Sequence, residues 1–406
     1  MRKINIFILS LLLLLHCCFM YSQEDSISNT GMSEIPLLNE SNDNSFEKFE
    51  FGGYVKFLNA TSCSSLDYVV NDNLIHNRLN LRTYLSKELT LDVQIRNRII
   101  WGASLSLPGY KEFVEPDTEI KLSSFLIDKP GLLFHSKIDR FYLNYNYKNW
   151  EISIGRQRLN WGKTWAWNSN DLFNAYNFLD YDYEERPGSD AVSLLYNTGS
   201  GSYIQGAYAY GRSLRRSIIA LRSQMNISSY DIQLLIAHYY NDLATGIGWE
   251  GNIKNLGFKG ESTVFFPESP DSDNATTVLT SISFDYFFKN GLGIIGSMLH
   301  NSNGSDDINE LTSLFSAGES LNARNLMPNK WSFILQNSYE INPASTTSLG
   351  ILYLADINAL ALLPVFTYSI SNDWDFNFIG QLFFMENENK FKNMQNNLVL
   401  RFRYNF

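Results

Sequence analysis

Apolar and polar residues alternate along most of this chain. From Phe49 to the end, segments of about ten residues place apolar side chains on one face and polar side chains on the other. In the last segment, Leu398, Phe402 and Phe406 share a face, while Arg401 and Arg403 lie on the opposite one. A period of two is typical of β-strands whose faces meet different surroundings, and no segment keeps helical spacing over a helix's length. The pattern predicts an all-β chain.

The alternation predicts eighteen strands, with sixteen as the alternative if a weaker pair at 245–253 and 256–266 is not formed. The predicted strands are 49–59, 73–85, 88–102, 134–147, 150–160, 189–197, 201–212, 215–227, 230–240, 245–253, 256–266, 277–288, 291–301, 330–340, 345–355, 360–371, 374–386 and 395–406.

The connections between these segments alternate in length. Every second connection is a tight turn, such as Lys148-Asn149 or Lys254-Asn255, and the long connections, 103–133, 161–188 and 302–329, all fall between those turns. Short periplasmic turns that alternate with longer outer loops are typical of outer-membrane barrels. The fold class predicted is therefore a transmembrane antiparallel up-and-down β-barrel of about 16 to 18 strands.

The first residues predict export. Arg2 and Lys3 precede an apolar run at 4–15, and the small residue Ser22 favours cleavage before Gln23. Lipoprotein processing at Cys17 or Cys18 is the weaker alternative. We therefore expect a signal peptide at 1–22, a flexible periplasmic leader at 23–48, which is polar and acidic, and the barrel at 49–406. Only Cys63 would remain after cleavage, so neither an intrachain disulfide nor a cysteine metal site is expected.

Composition agrees with a barrel and excludes some partners. Aromatic residues make up 15% of the chain, charged residues 18%, and the mean hydropathy is -0.19. An aromatic-rich chain that is not apolar on average suits alternating strands. The formal net charge of -10 argues against nucleic acid as a partner, because phosphate binding needs a basic surface.

Two short motifs resemble known outer-membrane proteins. The closing RFRYNF, with its terminal Phe406, resembles the carboxy-terminal sorting signal of Gram-negative outer-membrane barrels. The run Gly155-Arg156-Gln157 followed by Asn160-Trp161-Gly162 resembles a strand-end motif of porin-like families that include alginate-export-type barrels. The resemblance implies an outer-membrane location, contact with membrane lipid and lipopolysaccharide, and recognition of the last strand by the barrel-assembly machinery.

Strand parity selects the residues that would line the lumen. It turns Arg78, Arg82, Arg96, Arg98 and Arg140 inward on the second to fourth strands. On a later strand it turns Arg222 inward. These arginines either form one wall of a charge filter or only solvate a wide lumen. Arg156 and Arg158 share the parity of the apolar Ile152 and Ile154, so either a bulge intervenes or they sit at the rim.

The loop 161–188 follows the fifth strand. This arrangement resembles that of general porins, in which the loop at that position narrows the channel. We expect it to fold inward and to face the arginines with the acidic residues Asp171, Asp180, Asp182, Glu184 and Glu185. Opposed charges across a narrow passage orient and sort polar solutes.

The same loop is rich in aromatic residues. Trp161, Trp165 and Trp167 either stack on solutes or pack the loop against the barrel wall. The run from Asp180 to Glu184 could supply oxygen ligands for calcium, but it lacks the spacing and the turn glycine of an EF-hand loop. We therefore expect no metal or cofactor, with calcium at this run as the weaker alternative.

The sequence favours a channel for passive diffusion of small hydrophilic solutes, narrowed by loop 161–188. One alternative is a substrate-selective saccharide or polysaccharide-export channel. Another is a surface adhesin or assembly scaffold that uses loops 103–133 and 302–329. Catalysis is not expected, because there is no Gly-x-Ser-x-Gly elbow and only four histidines, His76, His135, His238 and His300, follow the signal peptide.

Overall fold

The computed structural model describes residues 48–406 apart from 66–67, 108, 116–117, 175–186, 269–274, 307–321 and 389. The expected signal peptide and nearly all of the expected leader lie outside the described residues. Among the described residues, no helix is long and apolar enough to cross a membrane.

The described chain is built from strands with a few short helical turns. The strands are β1 Phe49–Ser65, β2 Tyr68–Tyr84, β3 Leu89–Gly102, β4 Ser123–Lys129, β5 Leu132–Tyr147, β6 Trp150–Gln157, β7 Ser189–Gly199, β8 Ser202–Ala209, β9 Ile218–Ile227, β10 Tyr230–Tyr239, β11 Asp242–Ile253, β12 Leu256–Pro267, β13 Thr277–Phe287, β14 Leu292–Asn301, β15 Trp331–Asn342, β16 Ser345–Leu354, β17 Ala359–Ser369, β18 Trp374–Asn387 and β19 Lys390–Asn405. The helical turns are α1 Tyr110–Val114 and 3-10 turns at Ala103–Ser106, Leu214–Arg216 and Ala355–Ile357.

Eighteen of the described strands form one closed antiparallel barrel. Each strand pairs with the next along the chain, β3 pairs with β5, and β19 pairs with β1 from Tyr54 and Asn405 to Cys63 and Asn396. All eighteen predicted strands are present, and the weaker pair forms β11 and β12. The predicted fold class is confirmed, with the higher of the two strand counts.

β4 was not predicted and lies outside the closed ring. It pairs only with the first six residues of β5, from Leu132 opposite Lys129 to Lys137 opposite Ser123. These residues lie beyond the end of β6 at Gln157, so β4 takes the place next to β5 that β6 leaves free. The predicted loop 103–133 therefore contains a strand that extends the barrel wall beyond the end of β6.

The outward face carries the apolar band that a membrane requires. Large side chains that protrude there include Leu143, Ile154, Leu234, Ile247 and Leu335. At the end of the barrel with the short turns, which we call the turn side, paired aromatic rings form a girdle: the ring centroids of Trp150 and Tyr196 lie 4.6 Å apart, and those of Trp374 and Tyr404 lie 4.9 Å apart. Aromatic girdles mark the interface between lipid and water. The opposite end is the loop side.

The inward face changes character along the barrel axis. Near the loop side it is largely apolar, with buried residues such as Leu235, Phe265, Leu279, Leu299 and Leu352. Nearer the turn side it is polar. A water-filled lumen is normally polar throughout. The apolar inward side chains near the loop side must therefore be covered by further protein inside the barrel. The long loops supply this cover.

Extra charged residues are buried at two places where strand alternation is interrupted. The register between β3 and β5 shifts at Asp139, so that Asp139 and Arg140 are both buried. On β6, Gly155 has a φ of 124°, and Arg156 after it is buried although Ile154 is exposed. The pairing of β6 with β5 and with β7 has no register shift, so no bulge intervenes. Arg156 instead lies at the loop-side rim, one residue before the end of β6, and pairs with Asp190 at 2.7 Å.

Gly155 should not tolerate a side chain. A Cβ at this position would lie 2.2 Å from the carbonyl oxygen of Phe141, in a backbone region that favours glycine. We expect Gly155→Ala to destabilise the folded barrel by about 1–3 kcal/mol, measured as a lower urea midpoint in lipid vesicles. Gly206→Ala is the matched control, because nothing lies within 4 Å of its Cβ position. Equal midpoints for the two variants would contradict the strain at Gly155.

Candidate functional site: the inner loop and the facing wall

The loop after β6 turns into the lumen. We call residues 158–174 the inner loop; every residue from Ala166 to Asn174 is buried inside the barrel. The predicted inward fold of this loop is confirmed for its described part. The remainder, 175–186, lies outside the described residues.

The two ends of the inner loop are joined at its base. The Asn174 side-chain amide donates to the carbonyl oxygen of Leu159 at 2.6 Å, and the Ser189 hydroxyl donates to the carbonyl oxygen of Phe173 at 2.8 Å. The Trp161 and Phe173 rings pack edge to face with centroids 5.0 Å apart. These contacts make the inner loop a closed hairpin of fixed shape.

A buried carboxylate on β12 holds the tip of the inner loop. The Glu261 side chain is fully buried and accepts the backbone N–H groups of Lys163, Thr164 and Asn170, the last two at 2.8 Å. Buried N–H groups without hydrogen-bond partners are costly. Glu261 thus satisfies three donors that would otherwise be unpaired inside the barrel.

Residues on the neighbouring strands also hold the loop tip. We call the surface formed by Glu261 and these residues of β11 to β13 the seat. Asn170 donates to the carbonyl oxygen of Ile247 on β11 at 3.1 Å and accepts from the Thr263 hydroxyl on β12 at 2.7 Å. The Ser281 hydroxyl on β13 donates to the carbonyl oxygen of Trp167 at 2.6 Å. A Cβ on Gly246 would lie 2.5 Å from the Asn170 amide, so the glycine on β11 makes room for the loop.

The seat lies directly across the barrel from the predicted arginines. Around the closed ring, β12 is nine strands from β2, which is half of the eighteen. The inner loop therefore packs on β11 to β13, and the inward face of β1 to β5 looks at it across the lumen. We call that facing surface the basic wall, and its described basic side chains are Lys56, Arg78, Arg82, Arg96, Arg98, Lys137 and Arg140.

The structure brings two of the predicted arginines onto one carboxylate. An Arg78 terminal nitrogen lies 2.8 Å, and Arg96 Nε 3.2 Å, from the same oxygen of Asp139. Arg140 donates to the backbone carbonyl of Asp139 at 3.0 Å. All four side chains are buried. Asp139, which sequence parity did not select, therefore neutralises part of the wall from within.

The other predicted arginines have separate partners. Arg82 pairs with Asp92 at 3.0 Å, and Arg98 donates to the carbonyl oxygen of Val114 at 2.7 Å. Arg222 is not on this wall. It lies on β9 over the Trp161 ring, 4.9 Å from its centroid, and donates to Gln205 at 2.8 Å.

The predicted acidic residues are placed only in part. Asp171 is buried at the seat, where its charge acts on Arg222 and Glu261. It does not face the basic wall in an ion pair described here. Asp180, Asp182, Glu184 and Glu185 lie outside the described residues, so the predicted pairing of these four with the arginines remains a prediction.

Two of the three predicted stacking residues are packed away. Trp161 and Trp167 are 0% and 1% exposed, because the loop buries them against the apolar half of the lumen. Their rings touch protein and present no face to a solute, which corrects the stacking hypothesis for these two residues. Trp165 is partly buried at the edge of the same cluster, and for it the hypothesis remains a prediction.

Sequence reasoning missed Asp139 and Glu261, the two carboxylates that organise the site. A signal for Asp139 existed: the outward-facing Ile138 and Phe141 are three residues apart, which breaks the period of two and indicates a bulge. Glu261 gave no such signal, because one inward glutamate on an alternating strand looks like any lumen residue.

Solved structures share this architecture. The outer membrane protein OprD from Pseudomonas aeruginosa superposes with a TM-score of 0.58 at 9% identity, covering 89% of this chain and 94% of its own. OccAB4 from Acinetobacter baumannii gives 0.56 at 9%, covering 90% and 100%. A BenF-like porin from Pseudomonas fluorescens Pf-5 gives 0.56 at 9%, covering 89% and 100%. The fold is that of an outer-membrane porin. No family model and no curated protein sequence matches the chain.

The apolar outward band and the aromatic girdle agree with this porin fold. The predicted resemblance to porin-like barrels is confirmed at the level of the fold.

Replacing the Glu261 carboxyl group with an amide should loosen the inner loop. In Glu261→Gln, an amide N–H₂ group replaces one of the two oxygens that face the N–H groups of the loop, so at least one donor loses its acceptor. We expect the loop attachment to weaken by about 1–3 kcal/mol. The measurement is hydrogen–deuterium exchange of the Thr164 and Asn170 backbone amides in the folded barrel, with the exposed Glu340→Gln as control. Exchange equal to that of wild type would show that Glu261 does not hold the loop.

Proposed function

We propose that this protein is an outer-membrane channel for passive diffusion of small hydrophilic solutes, narrowed by its inner loop. The observation that carries this proposal is the seating of the inner loop inside a closed eighteen-strand barrel, half a turn of the ring from the basic wall. Barrels of this strand count enclose an aqueous passage, and an inward loop sets its narrowest part.

Opposed charges across the lumen support selection of polar solutes. Opposite the basic wall, the inward side chains of β10 to β12 include Asp231, Glu250 and Glu261. The ammonium groups of Lys163 and Lys259 lie 3.4 and 2.8 Å from the Glu250 carboxylate and neutralise part of this negative charge. The acidic side of this arrangement comes from strands as well as from the loop, which differs from the set that the sequence predicted. A field of this kind orients polar solutes in a narrow passage.

The alternatives have less support. A saccharide channel would use aromatic platforms, and two of the three proposed ones are buried. A scaffold or adhesin would present its long loops outward. Instead, residues 322–329 pack inward, where Leu326 and Met327 are 4% and 1% exposed. This part of the loop contributes to the packed lumen.

We further propose that the protein has no catalytic activity. His135 bridges Arg98 at 3.2 Å and Glu115 at 3.1 Å, which is a structural ion network. His238 faces outward beside Glu268, at 2.7 Å. Loss of a hydrolytic activity in His135→Ala or His76→Ala would contradict this proposal. Recognition of β19 by the barrel-assembly machinery also remains a proposal.

Removal of the loop tip should widen the channel. Replacing 163–172 with a short Gly-Ser linker keeps the base contacts of Asn174 and Ser189 but removes the part that occupies the lumen. We expect single-channel conductance in planar bilayers to rise severalfold and ion selectivity to flatten, because the narrowest section sets both. Heat-modifiable migration on gels verifies folding, and an unchanged current through a folded barrel would contradict a constriction by this loop.

Asp139 should set how strongly the wall acts on ions. In Asp139→Asn, Arg78 should stay in place, because it also donates to Asn80 at 3.2 Å and to Gln94 at 2.6 Å. The uncompensated guanidinium charges should raise the anion-to-cation permeability ratio severalfold. Leaving buried charges unpaired should also cost about 3–5 kcal/mol of stability.

The permeability ratio is measured as the reversal potential in a salt gradient, with Asp373→Asn, at an exposed turn, as the control. If Asp139→Asn folds and its reversal potential equals that of wild type, the arginines of the wall do not govern selectivity.

A further inference from the structure

Part of the segment between β3 and β4 also packs against the inside of the barrel. We call residues 103–122 the strap; the structure describes it apart from 108 and 116–117. At its start, the backbone N–H and the hydroxyl of Ser104 donate to Asp72 at 2.9 and 2.5 Å. Val114 at the end of α1 is 5% exposed, packed against the inward-facing Leu58, Leu74 and Leu133. The strap is therefore attached to the inner surface of β1 to β5.

A buried ion network fixes the middle of the strap. The Glu115 carboxylate lies 3.1 Å from His135 and 3.2 Å from Lys137, both on β5. Burial raises the pKa of Glu115, but the hydrogen bond from His135 and the Lys137 charge outweigh it and lower the pKa to about 2. Glu115 is consequently ionised at neutral pH.

The far end of the strap crosses toward the next strands. Arg156 on β6 donates to the carbonyl oxygen of Ile120 at 2.7 Å. Glu119 pairs with Arg212 at 3.4 Å and with Arg216, both in the connection after β8. The far end of the strap thus lies at the loop-side ends of β6 and β8. The described contacts of Ser104, Glu115 and Glu119 therefore fix the strap at its start, middle and end.

The strap and the inner loop approach from opposite walls and at different depths. In the strap, Val114 accepts a hydrogen bond from Arg98, and Arg98 is nine residues from Leu89, where β3 ends on the turn side. In the inner loop, Lys163 pairs with Glu250, and Glu250 is only three residues from Ile253, where β11 ends on the turn side. The strap is therefore nearer the loop side, and the inner loop extends deeper. A solute that enters from the loop side meets the strap first.

We propose that the strap is a second constriction, in series with the inner loop, and that Glu115 is the positioning residue that holds it in the passage. This inference rests on the proposed channel function and deepens it, because passage then requires a solute to fit two offset narrowings. Small hydrophilic solutes that can follow an indirect path fit this geometry, whereas rigid solutes of the same cross-section are retarded.

Glu115→Gln tests the role of Glu115, and Glu112→Gln is the matched control, since Glu112 is an exposed residue on the same helix. Purified full-length protein is measured in planar bilayers for conductance and in liposomes for the size limit of neutral sugars. We expect Glu115→Gln to raise both, and Glu112→Gln to leave both unchanged. A folded Glu115→Gln barrel with wild-type conductance and size limit would overturn the proposal.

The double variant with Glu261→Gln tests the series arrangement. Resistances in series add, so relaxing one narrowing leaves the other in control. We expect the double variant to gain more conductance than the two single variants together. A gain equal to or below that sum would contradict narrowings in series.

Two arrangements keep the outcomes distinct. Wild-type protein is measured first, since a folded barrel without open current would refute the channel function itself. If Glu115→Gln does not fold, Glu119→Gln replaces it, because that residue ties the strap through arginines that are 53% and 60% exposed. It should raise conductance and size limit in the same direction by a smaller factor, and no change would again overturn the proposal.

Discussion

Closure of the sheet is the constraint on which the rest of this structure depends. In hydrocarbon, each backbone N–H and C=O must be paired within the protein, and only a closed barrel achieves this with strands. Here β19 completes the ring against β1, and the backbone of Phe406 exchanges hydrogen bonds with Gly53 at 2.9 and 3.0 Å. Closure also turns every second side chain inward, so these side chains and the inward loops together fill the interior of the barrel.

The interior is filled differently at its two ends. Near the loop side, apolar inward residues form a core with the inner loop and with residues 322–330, so these segments fold as part of the protein's packing. Dense apolar packing resists displacement, because any gap loses contacts outright. In the proposed channel, the passage lies where this packing gives way to polar side chains, between the inner loop and the basic wall.

Buried charge in this lumen is matched locally. Glu261 is compensated by backbone N–H groups and Asp139 by two arginines, while Glu115 is held by His135 and Lys137. A buried charge without a partner costs several kcal/mol, so each cluster fixes the segment that completes it. The same groups that hold the loops in place thereby shape the field along the passage.

Alternation and turn spacing in the sequence determined the strand positions, the barrel class and the inward side of most residues, because side-chain direction in a strand is a local property with a period of two. This pattern turned Arg78 and Arg96 inward, and both side chains are buried in the structure. Local pattern could not pair Asp139 with them, place β4 beside β5, or bring Glu261 to the tip of the inner loop. Those contacts join residues as many as 98 positions apart, and only ring closure sets which strands face one another across the lumen.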